Sequence, residues 1–195
     1  MTHYFDHDPS IASEPIEVIW SLPDGQLRLM TDHGVFGYAS VDSGTKLLLI
    51  SAPPPPDAGN LLDLGCGTGA IALTMARRSP GATVWAVDVN RRARELCMAN
   101  AERNAIANVR VVAPEEIPGD LVFQGLWSNP PIRIGKPALH ELLLTWLGRL
   151  APSAEAHLVV QKHLGADSLQ RWLNEHGHPT DRVAIGAGFR ILRVH

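Results

Sequence analysis

A glycine-rich loop follows an apolar run in the first half of the chain. Residues 61–64 read Leu-Leu-Asp-Leu, and residues 65–69 read Gly-Cys-Gly-Thr-Gly, with a glycine at every second position. Because glycine has no side chain, this segment can turn sharply from a strand into a helix and leave its backbone open to a ligand. The loop therefore predicts a cofactor site of the nucleotide-binding kind.

Two aspartates indicate which cofactor the loop binds. Asp63 stands just before the first glycine, where a carboxylate favours a ligand with an ammonium group, because a diphosphate would meet like charge. S-adenosylmethionine has such a group. Asp88 ends the next apolar run, at the spacing at which a second-strand carboxylate reaches ribose hydroxyls. The alternative for both is structural, since either aspartate can cap a turn or a helix through backbone N–H groups.

Asn129-Pro130-Pro131 follows a later apolar run and offers hydrogen-bond acceptors in fixed directions. Proline fixes φ, removes an N–H donor and restricts the residue before it. An asparagine oxygen and a proline carbonyl can together accept both hydrogens of a planar exocyclic amine, which frees the nitrogen lone pair for attack on a sulfonium methyl group. A general base is then unnecessary before transfer. Taken alone, the segment is equally typical of a strand-to-helix turn.

The elements that must position these residues alternate between short apolar runs and helical periodicities. This pattern predicts a parallel sheet that is covered by helices on both faces. The predicted strands are 60–64, 82–87, 108–112, 121–128 and 156–161, and the predicted helices are 69–78, 90–103, 136–150 and 166–176. Two further strands within 182–194 lie too close together for a helical crossover, so they must pair antiparallel. The fold class is therefore α/β, and the closing hairpin distinguishes it from an ordinary dinucleotide dehydrogenase.

The N-terminal segment differs from the rest of the chain. A hairpin is predicted from 16–22 and 26–30, and a short helix from 46–50. Pro53 to Pro56 favour an extended spacer, so we expect an N-terminal extension over 1–52 and an S-adenosylmethionine-binding catalytic domain over 53–195. The extension has seven acidic and two basic residues, whereas the remainder has 13 acidic and 15 basic residues. An anionic polymer is repelled by the first segment and tolerated by the second.

Bulk composition excludes several protein classes. A chain of 195 residues with 45% hydrophobic composition can bury a full core, and no run approaches the ~20 apolar residues that span a bilayer. The two cysteines give neither a disulfide framework nor a zinc spacing. His3 and His7 flank Asp6 and Asp8, but such a grouping is more often a polar tail than a metal site. We expect a soluble, cytoplasmic protein without a bound metal.

The glycine loop, Asp88 and Asn129-Pro130-Pro131 together resemble a class I S-adenosylmethionine-dependent methyltransferase that acts on an amino nitrogen. Residues 31–36 (Thr-Asp-His-Gly-Val-Phe) and 41–49 (Val-Asp-Ser-Gly-Thr-Lys-Leu-Leu-Leu) resemble the small-subunit ribosomal RNA guanine-N2 methyltransferase family, so the resemblance runs from about Tyr4 to the C-terminus. It implies a Rossmann-like fold with a seven-stranded, mostly parallel sheet. It also implies methyl transfer to the N2 amine of guanine in RNA.

The resemblance assigns roles to individual residues. The amine is held by the catalytic residues Asn129, Pro130 and Pro131. The cofactor is held by Asp63, Gly65, Cys66, Gly67, Gly69, Asp88 and Val89, with Glu115 or the backbone around Ala113 at the adenine and Phe36, Gly44 and Thr45 at the methionine end. The substrate-binding residues are Ile132, Arg133 and Lys136.

Two features depart from the family pattern. Members carry a duplicated N-terminal domain that helps to bind ribosomal RNA, whereas this chain has the catalytic unit with a short extension and resembles a compact single-domain branch. An aromatic residue commonly follows Asn-Pro-Pro and stacks on the base, whereas Ile132 packs but stacks poorly. Arg133 and Lys136 either contact a phosphate or solvate the helix start. The alternative functions are methylation of a small molecule or protein amide, and a non-catalytic cofactor-binding scaffold.

Overall fold

An antiparallel hairpin and a short helix open the part of the chain that this computed structural model describes, residues 12–195. The elements are β1 (Ile16–Leu22), β2 (Gly25–Thr31) and α1 (Ser43–Ser51). The predicted hairpin is confirmed. Helix α1 begins before the predicted stretch because Asp42 caps it, accepting hydrogen bonds from the N–H groups of Gly44 and Thr45 at 2.9 and 3.1 Å.

A seven-stranded sheet follows this N-terminal segment. Its strands are β3 (Gly59–Leu64), β4 (Ala82–Val87), β5 (Val109–Val112), β6 (Phe123–Ser128), β7 (Leu150–Gln161), β8 (Thr180–Gly186) and β9 (Phe189–Val194). Their order across the sheet is β5-β4-β3-β6-β7-β9-β8. Strands β3 to β7 are parallel, whereas β9 pairs antiparallel with both β7 and β8. The predicted fold class, a mostly parallel sheet that ends in an antiparallel hairpin, is confirmed.

Helices cover both faces of the sheet. The four that follow α1 are α2 (Ala70–Arg78), α3 (Arg91–Arg103), α4 (Lys136–Leu147) and α5 (Ala166–Glu175). Helices α1, α2 and α3 contribute to one buried apolar cluster, and α4 and α5 contribute to a second cluster on the opposite face. Within residues 12–195, no helix is both long enough and apolar enough to cross a membrane.

Two adjacent predicted boundaries were wrong. The helix predicted over 136–150 ends at Leu147, and the strand predicted to begin at residue 156 begins at Leu150. Leu150 pairs with Phe123, and a register shift follows before the pairing resumes. The strand also passes through Ser153, whose φ is 66°. An irregular pairing of this kind interrupts the alternation of apolar and polar residues, so local periodicity did not indicate the first half of the strand.

The N-terminal segment packs into the core of the main sheet. Trp20 and Leu29 from the hairpin and Leu48 from α1 belong to the same buried cluster as Leu61 of β3. Burial of each such side chain stabilises the folded state by roughly 1.5–3 kcal/mol. The Arg78 guanidinium strengthens the contact, because its Nε donates to the hairpin residue Asp24 at 2.7 Å and its Nη1 donates to the carbonyl of Leu49 at 2.8 Å.

Two asparagines, Asn100 in α3 and Asn104 directly after it, form hydrogen bonds with the backbone of β2 at its free edge. The N–H group of Met30 donates to Oδ1 of Asn100 at 2.7 Å, and Nδ2 of Asn100 returns a bond to the Met30 carbonyl at 2.9 Å. Asn104 makes the same pair of contacts with Arg28, at 3.0 and 2.8 Å. The two side chains stand one helical turn apart and therefore replace a neighbouring strand. Asn100 also donates to the carbonyl of Thr68, at 2.9 Å.

Replacing Asn100 by leucine is expected to lower the free energy of unfolding by about 2–4 kcal/mol, because the partly buried backbone groups of Met30 and the buried carbonyl of Thr68 lose their partner. The same change at Asn104, which lies nearer to solvent, is expected to lower it by about 1 kcal/mol or less. Urea denaturation of both variants measures the difference. Equal losses of unfolding free energy in the two variants would show that burial does not determine how much these hydrogen bonds contribute to stability.

Candidate active site

A cavity of about 710 Å³ opens where β3, β4 and β6 end. The ends of neighbouring parallel strands meet at the same edge of a sheet, so the segments that follow them lie together. The predicted site residues that line the cavity are Phe36, Thr45, Gly65, Cys66, Gly67, Asp88, Val89, Asn129, Pro130, Pro131, Ile132 and Arg133. The fold thus brings the glycine loop, the second-strand carboxylate and the Asn-Pro-Pro segment to one place.

The glycine loop turns through positive φ angles. Gly65, Gly67 and Gly69 have φ values of 77°, 53° and 92°, a region that side chains disfavour. The N–H groups of Gly65 and Cys66 both donate to the carbonyl of Val87, at 2.8 and 3.0 Å. A Cβ atom on Gly65 would meet no other atom within 4 Å. The loop is therefore anchored to β4 while its backbone stays accessible.

Asp88 ties the glycine loop to the start of α3. One carboxylate oxygen accepts from the N–H group of Gly67 at 2.9 Å, and the other accepts from the N–H group of Asn90 at 2.9 Å. Burial raises the pKa of Asp88, although these hydrogen bonds oppose the rise. The cap of α3 is Asn90, which accepts from the N–H group of Ala93 at 3.2 Å. Asp88 therefore lies at the cavity wall as a loop anchor, not as the cap of α3.

Asp63 is fully buried and is not among the residues that line the cavity. Its Oδ2 accepts from the N–H group of Ala72 in α2 at 2.8 Å. Its Oδ1 has no hydrogen-bond partner within residues 12–195. Burial raises the pKa of Asp63 to about 8, so the carboxyl group is mostly protonated at pH 7 in the ligand-free protein. Contact between Asp63 and a ligand ammonium group stays a prediction.

Asn129 is held by contacts that reach across the fold. The preceding residue, Ser128, donates from its hydroxyl to the carbonyl of Leu64 at 2.6 Å, which joins the ends of β6 and β3. The Asn129 amide nitrogen donates to Oδ2 of Asp42 and to Oγ1 of Thr45, both at 3.1 Å. The side chain is therefore fixed from the N-terminal segment as well as from the sheet.

The two prolines form a tight turn at the cavity wall. Pro131 has φ −73° and ψ 71°, the conformation of an inverse γ-turn. The carbonyl of Pro130 accepts from the N–H group of Ile132 at 2.8 Å, and the carbonyl of Pro131 accepts from that of Ile134 at 3.1 Å. Local N–H groups thus fix the direction of both carbonyls. Each carbonyl oxygen keeps a second lone pair for a ligand.

Gly44 and Gly69 lie beside the cavity without lining it. A Cβ atom on Gly44 would come within 2.6 Å of the Phe189 ring, and one on Gly69 would come within 2.7 Å of Sγ of Cys97. Real side chains do not tolerate such distances, so both positions require glycine for packing. Direct contact of either residue with a cofactor stays a prediction.

Glu115 and Lys136 also lie outside the cavity wall. Glu115 is exposed on a 3₁₀ turn, Pro114–Glu116, and Pro114 lines the cavity in its place. Lys136 borders a smaller cavity of about 130 Å³ that shares Ile132 and Leu164 with the larger one. The adenine role of Glu115 and the substrate role of Lys136 stay predictions.

The cavity is also lined by residues that were not among the predicted site residues, and three of them are Asp42, Asn90 and Phe189. The first two stand directly before α1 and α3, where the N-cap pattern was a usable signal. Phe189 comes from β9, far along the chain from the other cavity residues, and no local pattern indicates it.

The histidine and aspartate grouping around His3 and His7 lies outside the described residues. Within residues 12–195, no group of three or more His, Cys, Asp or Glu side chains is arranged to hold a metal ion.

Replacing Asp63 by asparagine is expected to remove a contribution to stability that decreases with rising pH between about pH 4 and pH 8. A carboxyl group whose pKa rises on folding keeps its proton in the folded state and loses it in the unfolded state. The contribution of Asp63 to stability therefore falls as pH rises through this window, by up to about 1.4 kcal/mol per pH unit. Chemical denaturation of the ligand-free wild type and variant at several pH values gives this contribution as the difference between their slopes, because Asp88 and His157 contribute to both. Equal slopes in the two proteins would contradict a raised pKa of Asp63.

Comparisons with known proteins place this geometry in a family. The family model described as methyltransferase small domain matches residues 26–193. The uncharacterized protein YbxB of Bacillus subtilis is 34% identical, and the match covers 98% of this chain and 97% of that protein. Ribosomal RNA small subunit methyltransferase C of Pseudomonas aeruginosa is 33% identical over 88% of this chain and 52% of its own length.

Solved structures share the fold. The 16S rRNA N2 G1207 methyltransferase RsmC of T. thermophilus, in complex with AdoMet and guanosine, superposes with a TM-score of 0.81 at 23% identity, over 96% of this chain and 52% of that chain. This chain thus spans about half the length of the two named methyltransferases. The predicted family resemblance, enzyme class and cofactor are confirmed. The chain belongs to the methyltransferase small domain family and is an S-adenosylmethionine-dependent methyltransferase.

Proposed function

We propose that this enzyme methylates the exocyclic N2 amine of guanine in ribosomal or other structured RNA. One observation carries the proposal: Asn129 and Pro130 line the same cavity as Gly67 and Asp88. Direct transfer of a methyl group from the cofactor to the amine requires both to be held side by side in one site. An acceptor pair for an amine beside a cofactor loop meets this requirement.

The cavity fits S-adenosylmethionine in size and in the groups at its wall. Its volume of about 710 Å³ lies within the usual range of small-molecule sites. Gly65 and Gly67 leave their backbone open to a ligand, and Asp88 stands where a carboxylate reaches ribose hydroxyls. The bound cofactor supplies an electrophilic methyl group on a sulfonium sulfur.

The amine is activated by hydrogen-bond acceptors alone. Oδ1 of Asn129 and the carbonyl of Pro130 accept its two hydrogens, which draws the nitrogen toward tetrahedral geometry and directs its lone pair at the methyl group. The carbonyl direction is preset, because Ile132 already donates to Pro130 at 2.8 Å. The apolar side chain of Ile132 lines the same wall and excludes water from the amine.

Three cations without internal partners lie at or next to segments that line the cavity. The side chains of Arg133, Lys136 and Lys162 are exposed, and none forms an ion pair or hydrogen bond within residues 12–195. Several arginines elsewhere are engaged, as in the pairs Arg78–Asp24 and Arg182–Asp167. Arg133 lines the cavity, Lys136 lines its smaller neighbour, and Lys162 begins the turn that carries Leu164 to both. Unpaired cations at this position suit phosphates on either side of a target nucleotide.

The names of the relatives support RNA as the substrate. The Pseudomonas aeruginosa relative is a ribosomal RNA methyltransferase, and the T. thermophilus structure is an N2 G1207 methyltransferase that holds guanosine. The sequence identity of 33% to the first covers most of this chain.

Replacing Asn129 by alanine is expected to reduce methyl transfer by about 100-fold or more, because one of two acceptors for the amine is lost. Affinity for S-adenosylmethionine is expected to stay nearly unchanged. Transfer of labelled methyl groups to RNA from cells that lack this protein gives the rate, and calorimetry gives the affinity. Glu175→Ala, a change at an exposed position at the end of α5, is the control. Undiminished transfer in Asn129→Ala would reject the loop as the amine site.

Replacing Arg133, Lys136 or Lys162 by glutamine is expected to weaken RNA binding and to lower the slope of log affinity against log salt by about 1 for each contact. The matched control is Arg171→Gln, an exposed arginine that lines neither cavity. RNA affinity measured from low to moderate salt gives the slope. An unchanged slope in the three variants, or an equal change in the control, would favour a small or uncharged substrate.

A further inference from the structure

Both hydrogens of the Asn129 amide are committed to acceptors from the N-terminal segment. Nδ2 of Asn129 lies 3.1 Å from Oδ2 of Asp42 and 3.1 Å from Oγ1 of Thr45. A primary amide has two N–H donors, so the nitrogen has no donor left for a ligand. Oδ1 of Asn129 is therefore the atom that remains for a ligand in the cavity.

The orientation of this amide is set by the charge of Asp42. An ionised carboxylate only accepts hydrogen bonds, so the amide nitrogen must face it. Turning the amide over would place Oδ1 of Asn129 against the carboxylate and present N–H groups to an amine, which also donates. The contact with a charged acceptor is the stronger kind of hydrogen bond, and it also polarises the amide toward a more negative oxygen.

The acceptors themselves are rigid. Oδ2 of Asp42 also accepts from the backbone N–H groups of Gly44 and Thr45 at 2.9 and 3.1 Å. Thr45 is buried, with only 5% of its surface exposed. Gly44 packs against the ring of Phe189, with no space for a Cβ atom. The carboxylate is thus held by the first turn of α1 and by the end of the sheet.

We propose that Asp42 and Thr45 are positioning residues that lock the Asn129 amide with its oxygen toward the substrate amine. This inference rests on the proposed function. The amine acquires positive charge as the methyl group is transferred. A fixed, polarised oxygen of Asn129 stabilises that charge, so the positioning lowers the energy of the transition state. Neither residue needs to touch the amine. The N-terminal segment is therefore part of the catalytic apparatus.

The test distinguishes the role of Asp42 in positioning Asn129 from its role as the N-cap of α1. Asp42→Ser keeps a good N-cap residue for α1, but its hydroxyl is too short to reach Asn129. We expect kcat to fall by about 10- to 100-fold, with the melting temperature, the Kd for S-adenosylmethionine and the KM for RNA close to wild type. Asp42→Asn keeps an oxygen that can accept from Asn129 but removes the charge, so its kcat is expected to lie between those of the wild type and Asp42→Ser.

A double-mutant cycle shows whether Asp42 acts through Asn129. In the Asn129→Ala background, Asp42→Ser is expected to cause no further loss of kcat, because the group that it positions is absent. Thr45→Val keeps the backbone N–H group that Asp42 caps, and it provides a second variant with the same expected loss of kcat.

Two outcomes would overturn the inference. The first is wild-type kcat in both Asp42→Ser and Thr45→Val, which would leave Asp42 as a helix cap alone. The second is a loss from Asp42→Ser that adds fully to the loss from Asn129→Ala. Failure of the proposed function has a different signature, since Asn129→Ala would then transfer methyl groups as fast as the wild type.

Discussion

The active site depends on the hydrogen bonds that tie the glycine loop to the end of β4. Gly65 and Cys66 donate to the carbonyl of Val87, and Gly67 donates to the carboxylate of Asp88. These bonds satisfy N–H groups that would otherwise lack partners and set the direction of the backbone beside the cavity. Because β3 and β4 are parallel neighbours, their ends lie at the same level. Sheet register therefore positions both the loop and the carboxylate.

Features that depend on local sequence were predictable. Apolar runs and helical periodicities indicated most strand and helix positions, although not the first half of β7, and the glycine spacing indicated the loop. Asp88 and Asn129 each follow a strand of the parallel sheet directly, so their meeting at one edge follows from the fold class. The short spacing within residues 182–194 was sufficient to predict an antiparallel hairpin, because no crossover helix fits there.

Features that depend on packing between distant segments were not predictable. The contact between Asn129 and Asp42 joins residues 87 positions apart. The sequence around either residue does not indicate a contact with the other. The same holds for Phe189, which reaches the cavity from the last strand. The position of Asp63 in the motif was evident from the sequence, but its burial and its pKa were not. Both depend on how α2 packs over β3.

The Asn100 side chain joins the hairpin to the glycine loop, because the same amide nitrogen donates to the carbonyls of Met30 and Thr68. Neither segment can move away from α3 without breaking a buried hydrogen bond. A ligand that holds the loop in place therefore also makes opening of the hairpin less favourable, and a docked hairpin strengthens ligand binding by the same free energy. Cofactor occupancy and the docking of the hairpin are thus thermodynamically linked.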